Sequence, residues 1–322
     1  LIAKIRGKSK LPTGRRILVF SPHPDDDVIS MGGILRKLVE NGNEVTVAYQ
    51  TSGNIAVFDH DVRRYLDFFR RGGEILGHSP IGAGDKVEGL LAALASKAPG
   101  EVDSPDVQAL KRVIRETEAR SALESVGLGS DRARFLNLPF YQTGKVRKDP
   151  ISREDVGLVL ETVEELRPEL VFAAGDLSDP HGTHRMCLEA VRRALDEYGG
   201  EPPEVWLYRG AWQEWSVADA SVLVPLSERE LRRKILAIFK HQSQKDKAPF
   251  PGPDEREFWQ RTEARNRGTA DLLASLGLPA YYAVEAYVVE RGGERVPNPT
   301  VATSSLGGNP GGARRAAPGT GA

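Results

Sequence analysis

The sequence has little cysteine, almost no net charge and no long hydrophobic run, and each of these shortages excludes a class of protein. Cys187 is the only cysteine among 322 residues, so no internal disulfide can form. The 44 Lys and Arg residues against 45 Asp and Glu give a net charge of -1, which offers no electrostatic case for binding nucleic acid or an anionic membrane. No apolar run approaches the roughly 18 residues of a membrane span, and the first residues lack the apolar segment of a signal peptide. We therefore expect a soluble, cytoplasmic protein.

The most informative stretch runs from Arg15 to Leu38, RRILVFSPHPDDDVISMGGILRKL, where an acidic turn separates a short apolar run from a helical pattern. Ile17 to Phe20 has the length of a buried parallel strand. After Pro24, apolar residues recur at the spacing of a helix: Val28, Ile29, Met31, Ile34, Leu35 and Leu38. In an open α/β sheet the loops that follow the strands line the ligand crevice, so His23 and Asp25 to Asp27 lie where such proteins carry out chemistry.

A second pattern of strand, loop and helix begins with ELVFAA at Glu169 to Ala174 and continues into GDLSDPHGTHRMCLEAV, which contains His181 and His184. Neighbouring parallel strands bring their carboxyl ends together. Imidazole and carboxylate are good ligands for divalent first-row metals, and zinc usually takes at least three protein ligands. The sequence therefore predicts one metal bound by His23, Asp26 and His184.

Two other functional classes share parts of this pattern. An acidic pair after a first strand is also typical of the magnesium pocket of a receiver domain, but the histidines and the chain length argue against that assignment. A His-x-x-Asp pair with a distant His is typical of non-haem iron oxygenases as well. Those oxygenases are generally all-β, whereas this sequence alternates strands with helices, so the oxygenase interpretation ranks third.

The two loop motifs together resemble those of a known family. PHPDDD after the first strand and DPHGTH after a later strand are similar to the HPDDE and HPDH motifs of the zinc-dependent N-acetylglucosaminyl deacetylases, the LmbE-like or PIG-L family. The resemblance extends from about Arg15 to Glu290. Further segments resemble the branch of the family that is fused behind a glucosamine-6-phosphate deaminase domain: MGGILRKLVENGNEVTVAYQTSGNIAVFD, FLNLPFY, AAGDLSDPHGTH, WLYRGAWQEW and FKHQSQKD. Nothing in the chain resembles the deaminase domain itself.

The resemblance implies a role for each polar residue of the two motifs. His23, Asp26 and His184 would bind the metal, which in this family is zinc. Asp25 would be the general base, and His181 would assist the developing oxyanion or the leaving group.

Two departures from the family motifs concern these roles. Asp27 replaces the usual Glu, a shortening by one methylene that we expect to be tolerated in a supporting role. Thr183 stands where HPDH has Asp, so the carboxylate that would orient His181 is missing. The candidates to replace that carboxylate are Asp176 and Asp179.

Outside the motifs, further residues are candidates for contact with substrate: Asn54, Arg115, Tyr141 and His241. Each also has a purely structural interpretation. Asn54 would face substrate from the loop after the second strand, or cap a turn there. Arg115 would reach the site from a predicted helix, or form a surface pair with Glu118 that contributes only about 0.2 to 0.5 kcal/mol. Tyr141 would bind substrate or pack in the core, and His241 would line the pocket or interact with a helix end.

Strand and helix patterns alternate along the chain without an intervening linker, and they predict one α/β domain. We expect a Rossmann-like, mostly parallel sheet with helices on both faces, in a deacetylase domain spanning residues 15–291. Residues 1–14 are basic and are expected to form a linker or extension, and residues 292–322 are expected to be a disordered tail rich in Gly, Pro, Ser and Thr. Because the chain begins with Leu1, we expect it to be a fragment, which suits the carboxyl-terminal half of a fusion.

Elsewhere the residue pattern predicts elements between and after the motifs. A capping box at Ser227 and Glu230 predicts the start of a helix. Residues 77–106, with Gly- and Pro-rich ends around an alanine-rich piece, are expected to form a surface insertion. Strands are predicted at 44–50, 134–138, 205–208, 220–224 and 283–290, and further helices at 58–76, 105–126, 152–166 and 255–276.

The predicted function is a metal-dependent hydrolase that removes an N-acetyl group from an amino-sugar derivative, with zinc or alternatively ferrous iron. If the chain belongs to the fused branch, the expected substrate is N-acetylglucosamine 6-phosphate or a close relative. A glucosamine-6-phosphate deaminase domain, in cis or in trans, is then an expected partner, whereas no nucleic acid or membrane partner is expected. The alternative is a sugar-binding or regulatory module without turnover, which the replacement at Thr183 keeps open.

Overall fold

The computed structural model describes residues 1–77, 83–145, 147–175, 182–210, 213–245 and 256–290, and the expected tail at 292–322 lies outside these ranges. The described residues form one seven-stranded sheet. Its strands are β1 Arg16–Ser21, β2 Glu44–Tyr49, β3 Ala133–Phe135, β4 Leu170–Ala174, β5 Glu204–Tyr208, β6 Val222–Leu226 and β7 Ala283–Glu290. Every strand predicted from the sequence is present, and no strand end differs from its predicted position by more than three residues.

The helices of the described residues surround this sheet. They are α1 Asp26–Glu40, α2 Asp59–Ile75, α3 Ala83–Ser96, α4 Pro105–Val126, α5 Arg153–Leu166, α6 Thr183–Glu197, α7 Glu228–Ile238 and α8 Phe258–Ser275. None of the helices in this part of the chain is both long and apolar enough to cross a membrane.

The order of the strands brings the two predicted motifs together. The sheet runs β3-β2-β1-β4-β5-β7-β6. Neighbours from β3 to β5 pair in parallel, and β7 runs antiparallel to both β5 and β6. The mostly parallel α/β fold predicted from the sequence is therefore confirmed. Because β1 pairs directly with β4, with Ile17 opposite Leu170, the carboxyl ends of these two strands lie side by side at one end of the sheet.

Apolar side chains of β1 point alternately to the two faces of the sheet, as the two-residue period of a strand requires. Ile17 and Val19 belong to a core that includes residues of α1, α4 and α7. Leu18 and Phe20 belong to a second core on the opposite face, with residues of α5 and α6. Cys187 of α6 is fully buried in this second core.

Helices α2, α3 and α4 form a smaller core of their own at one side of the sheet. Its buried members include Val62, Leu66, Val87, Leu94 and Ile114. The segment expected to be a surface insertion thus contributes α3, whose buried side chains pack in this core. Residues 78–82, between α2 and α3, lie outside the described residues.

The basic residues 1–14 contact the domain at several points. Ile5 forms an isolated parallel bridge with Leu223 of β6. Lys4 Nζ donates to the carbonyl oxygen of Ala218 at 2.8 Å, and Leu11 is buried. This segment therefore packs against the edge of the sheet that β6 forms.

Helix α1, which carries Asp26, is interrupted one and a half turns after its start. Met31 has non-helical backbone angles, φ −133° and ψ 21°. The Gly33 and Ile34 N–H groups, which the break exposes, donate to the two carboxylate oxygens of Glu285 at 2.9 and 2.8 Å. Glu285 therefore caps the second half of α1 from the neighbouring strand β7. A Cβ at Gly33 would lie 2.6 Å from a Leu226 methyl carbon and 2.9 Å from Glu285 Oε1, so any other residue here would have to displace these side chains.

A buried ammonium group compensates the charge of Glu285. Lys234 Nζ of α7 donates to Glu285 at 2.7 Å, to the Ser30 carbonyl oxygen at 3.1 Å and to the Asn266 amide oxygen at 2.9 Å. Both charged side chains are at most 1% exposed. All three N–H groups of the lysine are thus used, and the network connects α1, α7, α8 and β7.

We expect Lys234→Met to lower the free energy of unfolding by roughly 3 to 5 kcal/mol, because it would leave the Glu285 carboxylate buried without its counter-charge. Chemical denaturation of the two proteins measures the difference. The matched control is Arg232→Ala on the same helix, whose 2.6 Å pair with Glu228 is exposed and contributes at most about 1 kcal/mol. Equal losses in the two variants would contradict a special role for the buried pair.

Candidate active site

Residues from both motif loops meet where β1 and β4 end. His23 follows β1, Asp26 is the first residue of α1, and His184 is the second residue of α6. Their nearest ligand atoms all lie within 4.8 Å of one another. The structure therefore brings together the three residues that the sequence predicts as metal ligands, although His184 lies far after the others in the chain.

One carboxylate oxygen is the centre of this group. Asp26 Oδ2 lies 3.0 Å from His23 Nδ1 and 3.1 Å from His184 Nε2, and it also accepts a hydrogen bond of 3.0 Å from the His23 backbone N–H. The His184 and Asp26 side chains are 2% and 5% exposed, whereas that of His23 is 21% exposed. His23 thus forms the side of the group that is open to a ligand.

The arrangement fits a divalent metal. Zinc ligands lie about 2.0 to 2.2 Å from the ion, so neighbouring ligand atoms in a tetrahedral site are roughly 3.3 to 3.6 Å apart. The 3.0 and 3.1 Å separations around Asp26 Oδ2 would need to widen by only a few tenths of an ångström. Two imidazoles and one carboxylate also leave the fourth position open, as catalytic zinc sites require.

The electrostatics of Asp26 favour a metal ligand. Burial of the carboxyl would raise its pKa, but the charges and hydrogen bonds of His184 and His23 outweigh burial and hold the pKa well below its usual range. The group is therefore ionised, which is the form that binds a metal.

Asp25 lies beside this group and faces a buried guanidinium. It is the N-cap residue of α1, and its Oδ2 lies 3.3 Å from Nη2 of Arg115 on α4. Burial raises the pKa of Asp25, and the charge of Arg115 opposes the rise. Arg115 is 1% exposed, yet its Nε and Nη1 have no hydrogen-bond partner among the described residues. The structure thus places Arg115 at the candidate general base rather than in a surface pair.

The backbone opposite Arg115 is a left-handed glycine. Gly53, at φ 61°, follows β2, and a Cβ there would lie 3.0 Å from Arg115 Nε. Both the backbone angle and the close guanidinium favour glycine at this position. Asn54 comes next, is buried, and lines a cavity of about 720 Å³ together with Gln108 and Lys145.

Glu118 lies one helical turn after Arg115 on α4. It is hydrogen-bonded to the turn that follows α7. Its carboxylate accepts hydrogen bonds of 2.7 Å from both the backbone N–H and the hydroxyl of Ser243. Burial raises the pKa of Glu118, which Arg115 and Ser243 oppose. The contact with Ser243 is not predicted by the sequence analysis, although the Arg-x-x-Glu and His-x-Ser-Gln patterns that carry the two residues are both visible in the sequence.

His241 comes directly before the turn Gln242–Gln244, which Glu118 binds through Ser243. It is 2% exposed, and neither ring nitrogen has a hydrogen-bond partner among the described residues. Burial lowers the pKa of His241 well below its usual value, and the nearby Arg115 lowers it further. His241 and Asp25 line the same small pocket, so His241 is a neutral imidazole next to the candidate base.

Tyr141 packs against the metal-ligand group. Its ring centre lies 5.8 Å from that of His23 in an edge-to-face arrangement, and its side chain is buried. Lys148 Nζ lies 3.9 Å from the centre of the same ring. Sequence reasoning does not identify Lys148, because nothing in the residue order shows that its loop folds back on Tyr141.

The third carboxylate of the first motif points away from the site. Asp27 is fully buried and accepts a hydrogen bond of 3.0 Å from the Tyr49 hydroxyl, while its backbone N–H donates to the Ser21 hydroxyl oxygen. Burial raises the pKa of Asp27 to about 7, and the hydrogen bond from Tyr49 opposes the rise. Asp27 connects α1 to β1 and β2.

The second loop is described only in part. His181, with Asp176 and Asp179, lies outside the described residues, so its predicted role is not tested by this geometry. Thr183, which stands where the family motif has Asp, begins α6 and is 1% exposed.

Comparison with known proteins points to one family. The family model described as PIG-L, GlcNAc-PI de-N-acetylase, matches residues 18–195. A glucosamine-6-phosphate deaminase-like protein of Bacteroides thetaiotaomicron is 49% identical over 284 residues, which cover 86% of this chain and 43% of that protein. The diacetylchitobiose deacetylase of Thermococcus kodakarensis is 33% identical over 93 residues, covering 26% of this chain and 35% of the enzyme. The chain therefore matches less than half of the length of either relative.

A solved structure shows the same fold. The structure of a conserved protein from Thermus thermophilus superimposes with a TM-score of 0.53 at 19% identity, covering 88% of this chain and 98% of that one. At this identity the similarity concerns the fold alone.

Proposed function

The chain belongs to the PIG-L family, and from this membership and the geometry of its site we propose that it is a metal-dependent hydrolase that removes the N-acetyl group of an amino-sugar derivative. The observation that carries the proposal is the position of Asp25. A buried carboxylate lies immediately beside a His-Asp-His group that fits a metal, and this is the combination that amide hydrolysis by activated water requires.

His23, Asp26 and His184 would hold the metal. When bound, a divalent ion lowers the pKa of water from about 15.7 to roughly 7 and polarises the carbonyl of the amide. We propose zinc as the resident ion, with ferrous iron as the alternative, because a His-His-Asp site accepts either.

Asp25 accepts the proton that the attacking water loses as its oxygen bonds to the acetyl carbon. It then delivers that proton to the sugar nitrogen as the carbon–nitrogen bond breaks, and the products are acetate and a free amine. Proton transfer of this kind typically accelerates a reaction about 10² to 10⁴-fold. Burial raises the pKa of Asp25 and makes its protonated form accessible during the reaction, while Arg115 opposes that rise and orients the carboxylate.

The neighbouring residues would bind substrate and stabilise charge. The free N–H groups of Arg115 can donate to a substrate oxygen, and the neutral imidazole of His241 can donate to or accept from a hydroxyl. We assign substrate contacts to Tyr141, which packs against His23, and to Asn54, which lines the neighbouring cavity. The role proposed for His181, assistance to the oxyanion or the leaving amine, rests on its place in the family motif.

The name of the Bacteroides relative supports a narrower substrate. The name relates that protein to glucosamine-6-phosphate deaminases. Such a deaminase would use the amine that a deacetylase of N-acetylglucosamine 6-phosphate releases. We therefore propose N-acetylglucosamine 6-phosphate or a close relative as substrate, and a glucosamine-6-phosphate deaminase domain, in cis or in trans, as partner.

The test is acetate release, followed by proton NMR, from N-acetylglucosamine and its 6-phosphate. We expect the zinc-loaded protein to release one acetate for each free amine formed. Treatment with a chelator should abolish release and added zinc should restore it, because the carboxylate of Asp25 alone is too weak a base to deprotonate water that is not bound to a metal. If metal binds and no acetate appears from either sugar, the alternative of a binding module without turnover is favoured. Failure to bind metal would exclude the proposed site.

A further inference from the structure

Lys148 is a cation held close to the site without a carboxylate partner among the described residues. Its Nζ lies 3.9 Å from the ring centre of Tyr141, whose own ring centre is 5.8 Å from that of His23. Together the two distances keep the ammonium within about 10 Å of a metal-ligand ring. One sugar ring with its substituents can bridge such a gap.

The loop that carries Lys148 is anchored at both ends. The Asp149 N–H donates to the Phe140 carbonyl oxygen at 3.1 Å, and the Phe140 N–H donates to Asp155 Oδ1 at 2.9 Å. Asp155 is fully buried and caps α5. The first of these bonds fixes the backbone next to Lys148 close to Phe140 and Tyr141, so the lysine side chain starts near the Tyr141 ring.

The environment of Lys148, which is half-buried, differs from that of the buried lysines. Lys37, Lys111 and Lys234 each lie within hydrogen-bond distance of a carboxylate. Among the described residues, no carboxylate oxygen lies within 4.0 Å of Lys148 Nζ, which donates only to the Lys145 carbonyl oxygen at 2.8 Å. Burial accordingly lowers the pKa of Lys148 to about 8.

Partial burial of an ammonium without a counter-charge is costly, and proteins usually avoid it unless a ligand provides the charge. Two of the three N–H groups of Lys148 have no acceptor among the described residues. The aromatic face below the ammonium holds it in position without neutralising it. An anionic ligand group would supply the counter-charge that the described residues do not provide.

We propose that Lys148 recognises an anionic substituent of the substrate, a phosphate ester on the amino sugar. The inference rests on the proposed deacetylase function and specifies its substrate class. Lys148 lies outside both sequence motifs, and by this inference it is the residue that discriminates between phosphorylated and neutral sugars.

The experiment compares kcat/KM for acetate release from N-acetylglucosamine, its 1-phosphate and its 6-phosphate. The variants are Lys148→Met, which keeps the apolar stem, and Lys148→Arg, which keeps the charge. Arg147→Met is the matched control, since it removes an exposed cation from the same loop. The quantity of interest is kcat/KM for a phosphorylated sugar divided by kcat/KM for the neutral sugar. We expect Lys148→Met to lower this ratio by about 10 to 100-fold, which is the contribution of one hydrogen bond to a charged group. Lys148→Arg should retain most of the ratio, and Arg147→Met all of it.

The outcomes separate this inference from the proposed function. An unchanged ratio in Lys148→Met, or an equal loss for neutral and phosphorylated sugars, would mean that Lys148 only supports Tyr141. If Arg147→Met lowers the same ratio, the effect would come from the total positive charge of the loop and not from Lys148, and the inference would be overturned. If the wild-type protein releases no acetate from any of the sugars, the deacetylase proposal fails. Titration calorimetry with N-acetylglucosamine 6-phosphate then decides the role of Lys148, because weaker binding by Lys148→Met alone would support it and equal binding would refute it.

Discussion

Replacing Asp25 by asparagine is expected to lower kcat for acetate release by about 10² to 10⁴-fold, the usual contribution of a positioned acid–base group. Asparagine has the same shape but cannot take the proton from water or return it to the leaving amine. Initial rates with saturating substrate and zinc measure the loss. Asp25 is not one of the three metal-ligand residues, so metal content measured by mass spectrometry should be unchanged.

Asp61→Asn is the control for this substitution. Asp61 is another buried aspartate that faces an arginine, with its Oδ1 3.0 Å from Arg64 Nη2, but it lies on α2 and away from the metal-ligand group. We expect its kcat to stay within about twofold of the wild type. An Asp25→Asn protein that keeps more than a tenth of the wild-type rate, with metal bound, would show that the proton is carried by another group.

Replacing Asp26 by alanine is expected to abolish both metal binding and turnover. Its Oδ2 is the atom that both histidine rings approach, so the substitution removes the only anionic ligand of the proposed set and leaves two neutral imidazoles. Because mutation of groups that merely support metal ligands typically costs 10 to 100-fold in affinity, the loss of a ligand should weaken binding by more than about 100-fold. Acetate release should then fall to background.

Thermal unfolding with and without zinc provides a readout independent of activity. A ligand that binds only the folded state stabilises it by about 2.7 kcal/mol when its concentration is 100 times the Kd. The wild type and the Asp61→Asn control should therefore gain stability with zinc, and Asp26→Ala should not. A zinc-dependent gain that survives in Asp26→Ala would mean that the metal binds elsewhere.

Much of the local structure follows from residue order alone. Helix α4 begins and ends where predicted because its signals are all local: the Ser104 side chain caps it, Pro105 is its first residue, and Gly127 ends it in a left-handed conformation. The capping box of Ser227 and Glu230 at α7 is likewise confirmed. Buried strands could be found by their apolar runs, and the first motif by the coincidence of strand, His-Pro-Asp-Asp and helix.

Proximity across long stretches of sequence was harder to predict. The grouping of His23 and Asp26 with His184 followed from a general rule about parallel strands, and the pairing of β1 with β4 satisfies it. The same rule could not show that Arg115 meets Asp25, because Arg115 comes from a helix that reaches the site across the sheet edge. The roles assigned to these residues stay predictions until the variants are measured.

The sequence by itself determined the α/β class, the position of each main element, and the two motifs whose residues we propose as metal ligands and base, because apolar periodicity, caps and motif spacing act within a few residues. Only the tertiary structure decided the break in α1 that Glu285 caps, the hydrogen bonds from Ser243 to Glu118, and the position of Lys148 over Tyr141. These contacts join residues far apart in the chain or across a folded loop. They depend on strand order and on how helices pack, and the spacing of neighbouring residues specifies neither.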